Sequence, residues 1–86
     1  MRFEGDEIEL SFIIRGGDFL RAGEVASKVK KILQKAQIPT RTIRRATIAV
    51  YEAEMNVVCY ARQGTLKLSL TPDLLQIKVE DEGRGI

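Results

Sequence analysis

The chain has 86 residues, of which 44% are hydrophobic and 30% charged, and this length allows one small domain with a single core. Fourteen basic and twelve acidic residues give a net charge of +2, too small to indicate nucleic-acid binding by itself. No membrane-spanning apolar run, no signal peptide, no histidine and only one cysteine, Cys59, are found, so we expect a cytoplasmic protein without a disulfide or a Cys/His metal site.

The first predicted element is a strand over residues 7 to 15. Apolar residues alternate with polar ones there, which is typical of a strand with one buried face. Gly16, Gly17 and Asp18 end this pattern, and Asp18 is a candidate N-cap. From about residue 19 to 37, apolar residues recur every three or four positions, which predicts an amphipathic helix with lysines on its exposed face.

A second helix is predicted from about residue 41 to 62. Pro39 prevents the first helix from continuing, and Thr40 is a candidate N-cap for the second. The apolar stripe of this helix runs from Ile43 to Val57, and Gly64 is a candidate left-handed terminator.

Two strands follow the second helix. Leucines alternate with polar residues from Leu66 to Leu70, residues 71 to 74 predict a tight turn, and alternation resumes from Leu75. The order strand, helix, helix, strand, strand predicts an α/β (α+β) two-layer sandwich, with a mostly antiparallel sheet and two helices on one face. An uncovered sheet edge favours self-association, so we expect a homodimer or an unstable fragment.

Two polar side chains of the second helix are candidate site residues. Glu52 and Asn56 are four residues apart, so their side chains share a helix face about 6 Å apart. An asparagine oxygen suits a hard cation such as Mg²⁺, and a glutamate can deprotonate an attacking hydroxyl. The alternative is an exposed pair without a role. Glu54 is expected to lie outside this pair, on the surface.

The run from Asp81 to Gly85, with glycines at 83 and 85, is more specific. Because it follows a strand directly, it predicts a ligand-facing loop. A carboxylate at the end of a strand can accept a hydrogen bond from the exocyclic amine of adenine, and Gly83 and Gly85 allow the backbone to approach a ligand closely. The alternative interpretation is a simple turn after the strand.

The acid and amide of the second helix, the hairpin and the Asp-x-Gly-x-Gly run resemble, in order and spacing, the Bergerat-fold (GHKL) ATPase superfamily. Residues 51 to 61 most resemble the bacterial anti-sigma regulatory serine/threonine kinases. Residues 79 to 86 are similar to the switch-kinase branch that acts in stress-response partner switching. The resemblance covers nearly all of the chain.

Several roles are implied by this resemblance. Asn56 would bind Mg²⁺ and, through it, the phosphates of ATP; Glu52 would be the catalytic base; Asp81 would bind the adenine amine; Gly83 and Gly85 would shape the adenine pocket. The implied activity is ATP-dependent phosphorylation of a serine or threonine on a small antagonist protein, in a pathway that includes a sigma factor.

The resemblance also implies that residues 1 to 86 form a single domain equivalent to the N-terminal two-thirds of a histidine-kinase-like ATPase domain. The lid, the second glycine box and the last strand of that domain have no counterpart here. We therefore expect this chain to be inactive as a kinase by itself.

Three alternatives are left open by the sequence. The first is a non-catalytic module that docks a partner protein, or a truncated fragment. The second is the ATP-binding domain of a histidine kinase. The third and weakest alternative is a nucleic-acid binder that uses basic residues of the two helices, such as Arg41, Arg44 and Arg45.

Overall fold

The computed structural model describes residues 8–71 and 74–83. The chain forms β1 (Ile8–Arg15), α1 (Glu24–Lys35), α2 (Thr40–Tyr60), β2 (Ala61–Leu70) and β3 (Leu75–Gly83). In this part of the chain the strands form an open antiparallel sheet in the order β1-β2-β3. The predicted α+β class is confirmed. No helix of the described ranges has the length and apolar character needed to cross a membrane.

The register of the sheet collects apolar side chains on one face. Leu66 of β2 lies opposite Phe12 of β1 and Val79 of β3, and Leu68 in the same way lies opposite Leu10 and Ile77. Directly opposed residues point to the same side of an antiparallel sheet. The central strand β2 is consequently the most buried, and the faces of β1 and β3 are only partly covered.

Both helices pack against this apolar face. Val29 and Leu33 of α1 and Val50 of α2 have no exposed surface, and they belong to the same core cluster as Leu66 and Leu68 of the sheet. The core therefore lies between one layer of two helices and one layer of strands. At ~25 cal/mol per Å² of apolar surface, burial of this cluster is the main favourable term in folding.

The start of α1 differs from the prediction. The helix begins at Glu24 rather than near residue 19, and Asp18 does not cap it. The Asp18 carboxylate instead accepts a hydrogen bond from the backbone N–H of Arg21 at 3.3 Å, which closes a turn before the helix. Gly23 occupies the N-cap with φ of 93°, a left-handed conformation that glycine adopts without strain.

The ends of α2 also differ from the prediction. Thr40 is the first helical residue, and Pro39 occupies the N-cap position without a side-chain hydrogen bond. The helix ends at Tyr60, and β2 begins at the next residue, so Gly64 does not terminate a helix. The chain passes directly from α2 into β2, so Gly64 lies within the strand, where it is buried.

The β2–β3 hairpin is closed by Thr71 and Leu74. The backbone N–H of Thr71 donates to the carbonyl of Leu74 at 2.8 Å, and the N–H of Leu74 donates to Thr71 Oγ1 at 3.0 Å. The two central residues of the predicted turn, 72 and 73, lie outside the described residues.

Candidate functional site

Glu52 and Asn56 both lie on the exposed side of α2. Each residue advances an α-helix by about 100°, so the two side chains are separated by about 40° around the axis. Glu54, which faces the core, lies about 160° from each of them. The structure therefore keeps the predicted pair on one face and directs that face away from the core.

One flank of α2 is not covered by α1. The opposite flank is covered by α1, because a Cβ at Gly23 would lie 3.4 Å from Tyr51 and because Glu54 bonds the start of α1. A cleft of about 400 Å³ is lined by residues of β1 and α1, which puts α1 beside β1. Since β1 and β3 are opposite edges of the described sheet, the free flank of α2 is the one on the β3 side.

Asp81 lies on the same side of the sheet as α2. It is paired with Gly64, and it shares its strand face with Val79, which packs against the core. A Cβ on Gly64 would lie 2.8 Å from Val57 Cγ2 and 3.2 Å from the carbonyl oxygen of Glu80. The absence of a side chain at residue 64 thus allows α2 to approach β2 and β3 closely. The point of approach is Val57, the residue after Asn56.

The predicted loop at Asp81 is wrong. Asp81 and Gly83 belong to β3, and Gly83 pairs with Ala61, the first residue of β2. The strand extends this far because β2 begins immediately after α2 and so supplies backbone partners for residues 81 and 83. Gly85 lies outside the described residues.

The three candidate side chains lie outside the described clefts. Glu52, Asn56 and Asp81 are all exposed, and none of them lines the cleft between β1 and α1 or a second cleft of about 370 Å³ between α1 and α2. An exposed carboxylate can accept a hydrogen bond from a base amine, and an exposed amide oxygen can take one position on a magnesium ion whose other ligands are phosphate and water. These oxygen ligands are of the kinds that one side of a nucleotide site would need.

Glu54 is buried, and its predicted surface position is wrong. Its exposed fraction is 2%, and its two carboxylate oxygens accept hydrogen bonds from the backbone N–H groups of Val25 and Ala26, both at 3.1 Å. These groups belong to the first turn of α1, where N–H groups have no partner within the helix. Glu54 is thus an N-terminal cap supplied by a different helix.

The remaining N–H groups of this turn are bonded within the chain. Glu24 N–H donates to the Arg21 carbonyl and Ser27 N–H to the Gly23 carbonyl, both at 3.0 Å. A carboxylate is also favoured electrostatically at a helix N-terminus. The sequence did carry a signal for this role, because Glu54 lies four residues from both Val50 and Val58, in the middle of the apolar stripe.

Basic residues are concentrated on the two helices. Residues 25 to 51 contain seven of the fourteen basic residues and none of the twelve acidic ones. In the part of the chain that the structure describes, Lys28 alone among these seven forms an ion pair, with Glu24 at 3.3 Å. The other six are Lys30, Lys31, Lys35, Arg41, Arg44 and Arg45.

Comparisons with protein-family models, with curated proteins and with solved structures found no match to this chain.

Proposed function

We propose that this chain carries the adenine- and magnesium-binding side of a Bergerat-type nucleotide site, in a serine/threonine protein kinase of the anti-sigma regulatory class. Its substrate would be a serine or threonine on a small antagonist protein. The proposal rests on the sequence resemblance, and the geometry of α2 and β3 is compatible with it.

One observation supports the proposal more than any other. Val57 lies over Gly64, and Gly64 is the direct partner of Asp81, so the β3 carboxylate and Asn56 on α2 lie at the same end of the molecule. A side chain at residue 64 would separate the two elements. Adenine bound at Asp81 and phosphates directed along α2 toward Asn56 would use this proximity.

Each candidate residue has a separate role in this proposal. Asp81 accepts the hydrogen bond of the exocyclic amine and so selects adenine. Asn56 supplies a neutral oxygen to the magnesium ion that accompanies the phosphates. Glu52, one helical turn earlier, accepts the proton of the attacking hydroxyl, so it contributes to transfer and little to nucleotide affinity.

The test is a calorimetric titration of the chain with a non-hydrolysable ATP analogue and Mg²⁺. We expect binding that Asp81→Asn and Asn56→Ala both weaken and that Glu52→Ala leaves within about twofold, since each of the first two removes a direct ligand contact. Glu82→Gln is the matched control for Asp81→Asn, because residue 82 lies next in the strand and points to the other face of the sheet.

Two results would contradict the proposal. If Asp81→Asn and Asn56→Ala both bound the analogue as tightly as the wild-type chain, the nucleotide site would not lie on α2 and β3. Loss of binding in Glu52→Ala would contradict its assignment as the base, because a base acts on the transferred proton and not on the resting nucleotide.

A second candidate function is a non-catalytic docking module. It is favoured by the positions of Glu52, Asn56 and Asp81, which are exposed and line neither of the two clefts. A thermal-shift measurement separates the candidates, because a ligand that binds only the folded state raises the melting temperature. No shift at millimolar ATP and Mg²⁺ would favour docking alone.

A further inference from the structure

We propose that the groove between α1 and α2 binds an acidic segment of a partner protein that carries two carboxylates and an apolar side chain. The groove is lined by residues of both helices: Lys30, Gln34, Thr40, Ile43, Arg44, Thr47 and Ile48. We call it the helix groove. This inference does not depend on nucleotide binding, because none of the proposed nucleotide ligands lines it.

The helix groove has one cation on each wall. Lys30 projects from α1 and Arg44 from α2, and neither has a carboxylate partner within the described ranges. Gln34 lies one turn after Lys30 and adds an amide on the same wall. An elongated ligand with two anionic groups can therefore contact both walls at once.

Two isoleucines give the helix groove an apolar surface. Ile43 is almost fully buried and lies at the base of the groove. Ile48 is 55% exposed and lies one helical turn after Arg44. The groove's volume of about 370 Å³ suits a few side chains rather than a folded element. The groove thus combines a cation on each wall with the apolar surface of Ile43 and Ile48, and this is complementary to a segment that carries both carboxylates and an apolar side chain.

Charge complementarity favours an acidic partner over any other kind of protein. The two helices also carry Lys31, Lys35, Arg41 and Arg45, all exposed, and residues 25 to 51 contain no acid that would oppose them. Such a surface attracts an anionic partner over about 10 Å at ordinary ionic strength and accelerates the encounter.

The same face offers little for base recognition. Aromatic side chains, on which unpaired bases stack, are absent from the helix groove as described. The isoleucines of the groove gain nothing from a phosphate backbone, whereas they can bury against a leucine or valine of a protein segment. The observations therefore favour a polypeptide over a nucleic acid.

Thr47 supplies an independent observation. Its Oγ1 is buried and has no hydrogen-bond partner among the described residues, although the side chain is partly exposed at the groove. A buried hydroxyl without a partner is unfavourable. Threonine in a helix populates two χ1 rotamers, so rotation can bring this hydroxyl into the groove to bond a ligand backbone group.

The test uses three probes of matched length with the full chain: an acetylated peptide of alternating glutamate and leucine, the same peptide with glutamine, and oligothymidylate. Amide chemical shifts and fluorescence anisotropy report the site and the affinity. We expect the acidic peptide to shift groove resonances and to bind at least about tenfold more tightly than the glutamine peptide.

Two charge-matched double variants separate groove binding from general attraction. Lys30→Ala with Arg44→Ala removes the groove cations, and Lys31→Ala with Arg45→Ala removes their neighbours on the same helices. We expect a loss of about tenfold from the first pair and less than about twofold from the second. Equal losses from both pairs, or tighter binding of oligothymidylate than of the acidic peptide, would overturn the proposal.

Thr47→Val tests the hydroxyl through the affinity for the acidic peptide, which a purely structural role of Thr47 would leave unchanged. Removal of a buried hydroxyl without a partner should raise the urea midpoint, and loss of the ligand bond should at the same time weaken the acidic peptide about threefold. A higher midpoint with unchanged affinity would remove Thr47 from the site. Self-association that only Lys30→Ala with Arg44→Ala abolishes would show instead that a second copy fills the groove, and would overturn the assignment to a partner protein.

Discussion

Val57 lies against Gly64 so closely that a Cβ at residue 64 would be 2.8 Å from Val57 Cγ2. Real Cβ atoms do not approach another carbon to this distance, so a side chain there requires Val57 or the backbone around it to shift. The carbonyl oxygen of Glu80 at 3.2 Å restricts movement on the other side. The spacing between α2 and the sheet is therefore set by this glycine.

Gly64→Ala should lower the free energy of unfolding by about 2 kcal/mol, because the added methyl group overpacks a site with backbone on one side and a β-branched residue on the other. Urea denaturation followed by circular dichroism measures it. The control is Gly17→Asn, at a glycine with φ of 79° and open space around it, where asparagine tolerates the left-handed conformation. A cost no larger than that of the control would show that the contact is relaxed in solution.

Glu54→Ala should destabilise the chain by roughly 3 kcal/mol, because it removes two hydrogen bonds to a carboxylate and leaves two buried N–H groups of α1 without partners. Glu52→Ala, on the exposed side of the same helix, is the matched control and should cost less than about 0.5 kcal/mol. Chemical denaturation gives both values. Similar effects from the two substitutions would contradict the capping role.

Glu80→Gln should cost less than about 1 kcal/mol and should do so only at low salt. Lys67 and Lys78 are directly opposed across β2 and β3, and like charges in that arrangement repel. The Glu80 carboxylate contacts both lysines, at 3.3 and 3.9 Å, and offsets this repulsion. Unfolding free energies at low and high sodium chloride test the effect, with Glu9→Gln on the same sheet face as control. A loss independent of salt would point to packing instead.

If Asp81 recognises the base, ADP should bind at least about tenfold more tightly than GDP, and Asp81→Asn should reduce this preference. Adenine presents an amine donor where guanine presents a carbonyl acceptor, and a carboxylate repels the acceptor. Competition calorimetry with the two nucleotides measures the ratio. An unchanged ratio in the variant would show that selectivity, where present, has another source.

Sequence patterns predicted the elements better than their boundaries. The period of two in the strands and of three to four in the helices follows from burial of one face, and the structure has that burial. The start of α1 does not follow from the local sequence, because its cap, Glu54, is about thirty residues away. No local signal distinguishes such a tertiary cap from a surface glutamate, except its position within an apolar stripe.

In the candidate site, too, some features follow from the local sequence and others depend on residues that are distant in sequence. The common face of Glu52 and Asn56 follows from their spacing alone. The position of Asp81 inside a strand does not, because it depends on β2 starting directly after α2 and pairing with residues 81 and 83. The sequence predicts a helix end at Gly64, since a glycine after a helix usually marks a terminator, whereas its role in close packing depends on Val57.

The two hydrogen bonds of Glu54 also restrict rotation of α2 about its own axis. The carboxylate bonds adjacent N–H groups with one oxygen each, so turning the helix by even a few tens of degrees would break both. Asn56 is fixed to the same axis, two residues later, and its direction is set by that anchor. The direction of an exposed amide on one side of α2 is consequently determined on the other side of the helix, by the first turn of α1.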